Sequence, residues 1–470
     1  MTHALSQFAV KFGTSGARGL VSDLTPDYCW TFVGAFLQVL GGKPRHLLVG
    51  HDLRPSSPAI AAACIAAAES LGVACRYAGA LPTPALALAG RHFGLPAIMI
   101  TGSHIPADRN GIKAYRADGE ITKADEAEMV AAAVEVPKEF SLPGLPAADQ
   151  SLTHDYVRRY LGSFGESSLE GLRIGVYEHS TVARDIFHDV LRGLGAQTVA
   201  IARSDTFLPV DTEAIRQEDR DLARESAAGG GFDAIVSADG DADRPLLADE
   251  AGEWLRGDVL GLLAGKALGA RSVVTPVSST TAIEKSRAFK QVLRTRIGSP
   301  YVIAGMEAAT EPPVAGFEAN GGFLLGSDVM IADRRLPALP TRDAILPVLA
   351  VLAEARRRGV PISTLAGELP ARFTFSDRLQ DFATEHSRRL IDRLAQDAKL
   401  AGMLMAPESG GIEAVDRTDG FRVTFANGNI VHLRPSGNAP ELRCYAEAST
   451  ERQAEGLVLS CLSRVAAAGP

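Results

Sequence analysis

The densest chemistry in the chain is the run Asp239-Gly-Asp-Ala-Asp-Arg244, which sets three carboxylates at alternate positions directly after the apolar stretch Phe232-Asp-Ala-Ile-Val-Ser-Ala238. Carboxylates held that close repel one another unless a cation lies between them, and hard oxygen donors suit Mg²⁺ or Ca²⁺. An EF-hand is a competing metal reading, since Glu250 falls at the twelfth position of the loop. Arg244 stands at the sixth, however, where glycine is needed, and a strand rather than a helix leads in. A solvated acidic turn is the plain alternative.

Four further loops carry polar groups suited to binding or transferring an anion. Ala97-Ile-Met-Ile100 runs into Thr101-Gly-Ser-His-Ile-Pro-Ala-Asp-Arg-Asn-Gly-Ile-Lys113, which places Ser103 just beyond a strand's C-terminal end, where open α/β sheets bind ligands. His104 adjoins that hydroxyl, and Lys113 brings positive charge back towards it. Pro313-Val-Ala-Gly-Phe-Glu-Ala-Asn-Gly-Gly322 offers Glu318 and Asn320 on a glycine-flanked turn, donors and acceptors matched to vicinal hydroxyls. Leu433-Arg-Pro-Ser-Gly-Asn-Ala-Pro-Glu-Leu-Arg443 groups Arg434, Ser436, Asn438 and the amides around Gly437 into an anion cradle. Phe12-Gly-Thr-Ser-Gly-Ala-Arg-Gly19 puts Arg18 in a glycine-rich loop. Read singly, each has an ordinary counterpart: an N-cap serine, a hairpin turn, a strand connection, a flexible linker.

The elements that must position these loops follow a repeat at an offset of roughly 125 residues, suited to duplicated domains. Its unit is strand, loop, helix, Leu-Gly, strand: His46–Gly50, a loop around 54–57, a helix over Pro58–Ser70, Gly72 as helix C-cap, and Val73–Tyr77. A second copy runs Arg173–Tyr177, a helix over Val182–Arg192, and Gln197–Ala202; a weaker third runs Ser272–Pro276, a helix over Thr281–Ala288, and Val292–Thr295. Such alternation predicts α/β domains with partly parallel sheets. The C-terminal part differs: Phe421–Phe425, Asn427-Gly428 and Ile430–Leu433 read as a hairpin with a tight primed turn, implying a smaller α+β domain.

At 470 residues the chain should hold three or four folding units of the usual size, and 46% hydrophobic with 22% charged residues is a globular composition. The net charge of -8 argues against a nucleic-acid backbone as partner. Cys29, Cys64, Cys75, Cys444 and Cys461 are scattered, without a CxxC pair, so neither a disulfide framework nor a zinc cluster is expected. The longest uncharged stretch, Tyr28–Gly42, is too short to span a membrane, and no secretory signal opens the chain, so a cytoplasmic protein whose mature form starts where the sequence starts is expected.

Taken together and in this order, the loops resemble those of the α-D-phosphohexomutase superfamily, the phosphomannomutase/phosphoglucomutase enzymes, over essentially the whole chain. The resemblance implies three related α/β domains with mixed sheets plus a C-terminal α+β, TATA-binding-protein-like domain around a central cleft. With the boundaries set by Pro- and Gly-containing stretches, these are residues 1–149, 150–251, 252–368 and 369–470. It implies that Ser103 is the phosphorylated serine, in a loop like Thr-Ala-Ser-His-Asn-Pro. Asp239, Asp241 and Asp243, with Ser103, become Mg²⁺ ligands, and Arg18, His104, Lys113 and Arg244 line the transfer site. Glu318, Asn320 and Gly321 fall in the sugar loop, and Arg434, Ser436, Gly437, Asn438 and Arg443 in or beside the phosphate loop. The chain departs from the pattern at Gly102, at Ile105, at Asn438-Ala439 where many members have Thr-Glu, and in its Phe-Glu-Ala-Asn-Gly sugar loop.

The implied activity interconverts hexose 6-phosphate and hexose 1-phosphate, mannose first and glucose also, through a phosphoserine and a bound 1,6-bisphosphate. One Mg²⁺ per site and a catalytic hexose 1,6-bisphosphate as activator are expected, in a monomer or homodimer with a phosphorylated hexose as its partner and neither nucleic acid nor membrane. A phosphoglucosamine or acetylglucosamine-phosphate mutase is the alternative within the superfamily. Outside it stand a haloacid-dehalogenase-like phosphatase, with Asp239 or Asp241 as nucleophile, and a catalytically silent sugar-phosphate binder.

Overall fold

The computed structural model describes all residues except 14, 139, 140, 143, 437–439, 469 and 470. The chain forms two compact units, one of residues 1–270 with 312–366 and the other of residues 271–311 with 367–470.

In the first unit a mixed sheet runs in the order Lys11–Phe12, Ala17–Leu20, Arg109–Arg116, Ala97–Ile100, His46–His51, Ala74–Ala80. His46–His51 lies parallel to both its neighbours, and Ala97–Ile100 turns antiparallel to Arg109–Arg116. A central strand covered on both faces needs a continuous apolar run, and Leu47, Leu48 and Val49 are fully buried. The expected helix spans Ser57–Ser70, its alanines packing closely on Pro26–Val39, and Gly72 takes the left-handed φ of 82° that releases the chain.

The second copy of the repeat forms a four-stranded sheet in the order Gln197–Ile201, Arg173–Tyr177, Ala234–Ala238, Pro245–Ala248, the first three parallel and the last antiparallel. Ala238 pairs with Pro245, so the acidic run 239–244 is the connection of a hairpin. The unit is completed by the antiparallel strands Val314–Phe317, Phe323–Leu325 and Leu339–Asp343, with helices Gly257–Ala267 and Ile345–Arg358 packed on each other. Residues 318–322 connect the first two of these strands.

The second unit contains the parallel strands Ser272–Pro276 and Gln291–Thr295 and the helix Ser299–Ala308. The helix expected over 281–288 is a single turn, Ala282–Lys285, because Arg287 adopts a left-handed φ of 54°. Its C-terminal part is an antiparallel sheet in the order Phe373–Leu379, Leu442–Ala448, Ile430–Pro435, Phe421–Phe425, Ile412–Asp416. Phe421, Val423 and Phe425 alternate inward onto a core shared with helices Thr384–Gln396, Ala398–Met405 and Glu451–Ala468. On the other face Glu447 accepts hydrogen bonds from the Thr281 amide and hydroxyl and from Arg372. The hairpin forms with a different turn from the one expected. Phe425 N–H donates to Asn429 O and Gly428 N–H to Phe425 O, a three-residue loop in which Gly428 takes a φ of 82° while Asn427 does not enter the left-handed region.

No helix among the described residues is long and apolar enough to cross a membrane. All five cysteines are free thiols.

Candidate active site

Ser103 and the three aspartates meet inside the first unit. Ser103 Oγ donates to Asp239 Oδ2 at 2.5 Å, and both residues are buried. The serine holds a left-handed φ of 54°, a strained conformation for a residue with a Cβ, and a dense polar network fixes it. Thr101 Oγ1 accepts from Ser103 N–H and donates to Asp52 Oδ2, both at 2.8 Å. Arg54, 1% exposed, donates to the carbonyls of Ser103, Ile105, Pro106 and Arg109 and pairs with Asp52 at 3.3 Å. Its guanidinium also lies 4.2 Å over the Phe207 ring. A Cβ on Gly102 would come within 2.6 Å of Arg54 Cζ, so this arginine explains glycine at that position. Gly240 is likewise required, because a Cβ there would lie 2.9 Å from Ser103 O.

One carboxylate oxygen from each of Asp239, Asp241 and Asp243 lies within 4.8 Å of the other two. Asp239 has both oxygens hydrogen-bonded by the protein, Oδ2 by Ser103, and Asp241 and Asp243 have one each. Asp239 Oδ1 accepts from the amides of Asp243 and Arg244, at 3.2 and 3.1 Å. Asp241 Oδ2 accepts from Lys113 Nζ at 2.6 Å and Thr83 Oγ1 at 2.5 Å, and Asp243 Oδ2 from Lys113 Nζ and Arg342, both at 2.7 Å. Oδ1 of Asp241 and Oδ1 of Asp243 are buried without a hydrogen-bond partner, which is costly for a carboxylate. Two orphaned anionic oxygens beside Asp239 form a hard donor set that could hold a metal ion.

The surrounding charges divide the three acids. Burial, then the neighbouring Asp241 and Asp243, push the Asp239 carboxyl well above the usual range. Burial acts the same way on Asp243, but Arg342, Lys113 and Arg244 outweigh it and hold that group below its ordinary value. Burial pulls the Lys113 ammonium down, yet Asp241 and Asp243 keep it above the lysine norm, so it is charged at neutral pH. His104 is pushed well below its ordinary value by burial and then by Arg244 and Arg18, which makes it a neutral imidazole. Its Nδ1 lies 2.9 Å from Arg244 Nη1 and 3.3 Å from Ser103 Oγ. Arg18, partly buried, is lowered to about 10 by burial and the Arg244 and Arg342 guanidinium groups and is still charged at neutral pH.

The 318–322 turn adds two side chains in different settings. Glu318 is 3% exposed, 3.6 Å from Arg342, and burial raises its carboxyl against the pull of Arg342 and Arg244. Asn320 folds its Oδ1 back onto Gly322 N–H at 3.0 Å, and Gly321 takes a φ of 93°.

In the second unit Arg434 pairs with Asp419 at 2.8 Å, and Arg443 lies 3.5 Å from Glu441. Ser436 N–H donates to Glu441 O at 2.9 Å. Arg378, Arg443 and Arg434 stand in register on three adjacent strands, a row of like charges tolerated because Glu441 and Asp419 lie beside it. Gly437 and Asn438 lie outside the described residues.

In the sequence reading Arg342, Thr83 and Asp52 have no place in the site, and Arg54 has only a place in a connecting loop. Asp52 and Arg54 carried a usable signal, a charged Asp-x-Arg at the end of a buried parallel strand, where ligand loops emerge. Nothing local marks Arg342 or Thr83.

Models of all four phosphoglucomutase/phosphomannomutase domains match the chain: alpha/beta/alpha domain I at residues 9–139, domain II at 154–252, domain III at 256–373 and the C-terminal domain at 386–460. A phosphomannomutase of Salmonella muenchen is 48% identical over 467 residues, covering 98% of this chain and 96% of the relative. A phosphomannomutase of Sinorhizobium fredii is 44% identical over 466 residues, covering 96% and 98%. The crystal structure of a putative phosphomannomutase from Thermus thermophilus shares the fold, with a TM-score of 0.76 at 22% identity over 97% and 98% of the two chains. Fold and site therefore define a multidomain α/β phosphosugar enzyme. The chain belongs to the phosphoglucomutase/phosphomannomutase family and is a phosphohexomutase of the isomerase class.

Proposed function

We propose that the chain interconverts mannose 6-phosphate and mannose 1-phosphate, and the glucose pair as well, with Ser103 as the group that carries phosphate between turnovers. The observation that carries this reading is the buried Ser103 hydroxyl 2.5 Å from Asp239, within a carboxylate cluster answered by Lys113, Arg244 and Arg342. Phosphoserine 103 gives its phosphoryl group to the free sugar hydroxyl: the sugar O–P bond forms as the Ser103 Oγ–P bond breaks, the hydroxyl proton leaves to a base, and Ser103 Oγ takes up a proton. The resulting 1,6-bisphosphate turns end for end, and its other phosphate returns to Ser103. Phosphoryl transfer depends mainly on positioning and charge stabilisation, which Arg18, Arg244 and Lys113 supply from around the serine. Neutral His104, beside both Ser103 and Arg244, is suited to moving a proton; charged Lys113 is suited to holding negative charge.

Asp239, Asp241 and Asp243, with Ser103, would hold one Mg²⁺, which when bound neutralises charge on the phosphoryl oxygens. Glu318, Asn320 and Gly321 are assigned to the sugar, and Arg434, Ser436, Gly437, Asn438 and Arg443 to gripping phosphate. The assignment to residues 1–149, 150–251, 252–368 and 369–470 gives the first segment the Arg18 and Ser103 loops and each of the others one. A catalytic hexose 1,6-bisphosphate would rephosphorylate serine lost to hydrolysis.

If Glu318 and Asn320 hold hydroxyls common to both bound orientations, the C2 configuration is read weakly. The mannose and glucose kcat/KM values should then agree within roughly a thousandfold. The test is a coupled assay of mannose 1-phosphate, glucose 1-phosphate and glucosamine 1-phosphate with Mg²⁺ and catalytic hexose bisphosphate. Isomerisation of the first two supports the reading, preference for the third favours the glucosamine alternative, and no turnover of any overturns it.

A further inference from the structure

Arg342 is 3% exposed at the end of the strand Leu339–Asp343 and bridges three loops that come from distant parts of the sequence. It pairs with Asp243 Oδ2 at 2.7 Å, lies 3.6 Å from Glu318 Oε2, and donates to Ser15 Oγ at 3.4 Å. The 318–322 turn is shaped to admit it: a Cβ on Gly322 would lie 2.6 Å from Arg342 Cδ. Arg342 forms the one ion pair of Glu318 among the described residues, and Glu318 Oε2 has no hydrogen-bond partner. On the Asp243 side its charge competes with whatever cation the three aspartates hold, because both draw on the same carboxylate.

We propose that Arg342 is a positioning residue shared by the metal loop and the sugar loop, weakening the hold on a divalent cation while holding the Glu318 carboxylate in place for sugar hydroxyls. This rests on the assignment of Asp239, Asp241 and Asp243 to the cation and Glu318 to the sugar. It yields a signature that mere loss of structure does not. Removing the guanidinium leaves the acidic cluster more negative, so the cation binds more tightly. The same change takes from the buried Glu318 its one ion pair among the described residues, so the carboxylate is less firmly held and the sugar binds less tightly. Lysine restores the charge near Asp243 but lacks the planar fork needed to serve two carboxylates at once.

The experiment measures Mn²⁺ binding by calorimetry on the full chain, and glucose 6-phosphate binding and KM in parallel, for the wild type, Arg342→Gln and Arg342→Lys. In Arg342→Gln the Mn²⁺ dissociation constant should fall roughly tenfold while the KM for hexose phosphate rises roughly tenfold. In Arg342→Lys the Mn²⁺ affinity should return to the wild-type value and the KM stay raised. If the glutamine variant does not fold, Arg342→Met takes its place with the same two expectations. Loss of both affinities, or a change in neither, overturns the role of Arg342. A wild-type chain that binds neither Mn²⁺ nor hexose phosphate overturns the underlying site assignment instead.

Discussion

At the scale of single residues, the chemistry rests on a serine that the backbone holds in an unfavourable conformation. Ser103 keeps its left-handed φ because Thr101 grips its amide and Arg54 its carbonyl, so the hydroxyl reaches Asp239 without having to search. Ser103→Ala should remove the phosphate carrier and lower kcat for isomerisation by on the order of 10⁴-fold or more, whereas a phosphatase with an aspartate nucleophile would keep its hydrolysis in that variant. Mutase activity surviving in that variant would sink the role of the serine. Gly102→Ala is a subtler probe. Its methyl group must displace a guanidinium pinned by four carbonyls and Asp52, which should cost about 1–3 kcal/mol of stability. A lower kcat should accompany it. Thermal unfolding alongside kinetics checks this, and a variant as stable and active as wild type would mean that Arg54 moves freely. These serine and aspartate loops were legible in the sequence because their chemistry lies within a few consecutive residues. Arg342 and Thr83 were not, since each acquires its meaning only when a distant strand or helix start is folded against the aspartates.

At the scale of elements, the sheets aim the loops, and buried histidines brace them. His179 Nε2 lies 2.7 Å from Ala238 O, at the strand end from which Asp239 emerges, and His432 Nε2 lies 2.5 Å from Asp419 O in the other unit. Burial lowers both to about 4 from an ordinary 6.5. An unfolded chain takes up these protons near pH 6.5 and the folded chain does not, so stability should fall from there towards pH 4. The loss at the bottom of that window is about 3 kcal/mol for each histidine. Urea midpoints at pH 7 and pH 5 test this, and His179→Gln with His432→Gln should flatten the difference. An unchanged slope in the double variant would refute the assignment. Strand positions were predictable here because buried runs such as Leu47–Val49 have a single plausible use. Two local readings failed where one residue set the backbone: Arg287 ends a helix after one turn, and Gly428 alone makes the hairpin turn for which Asn427 had also been expected.

For the whole molecule, the repeat and the order of the loops were readable from the sequence, but the division into two compact units was not. Residues 271–311 are grouped with the C-terminal part, where Glu447 accepts hydrogen bonds from Thr281. The chain's two tryptophans, Trp30 and Trp254, both belong to the first unit. Indole fluorescence should therefore follow that unit alone, while far-ultraviolet circular dichroism follows both. If the units melt separately, the two curves will not coincide. Added Mg²⁺ should raise the fluorescence-detected transition, by about 2.7 kcal/mol at a hundred times its dissociation constant, and leave the remaining transition in place. Coincident curves that Mg²⁺ does not move would contradict both expectations.

The grip of Glu447 on Thr281 also governs how the gene can be cut. A stop codon placed after residue 366 would spare every atom of the serine and aspartate loops, yet it would remove Glu447, the carboxylate that Thr281 holds. Fragments made by trimming from the C-terminus should accordingly be sticky and prone to proteolysis. An expressible minimal piece that carries the serine and aspartate loops, without the phosphate-gripping residues of the C-terminal part, calls for two excisions and a linker from Ala270 to Pro312, not a single truncation.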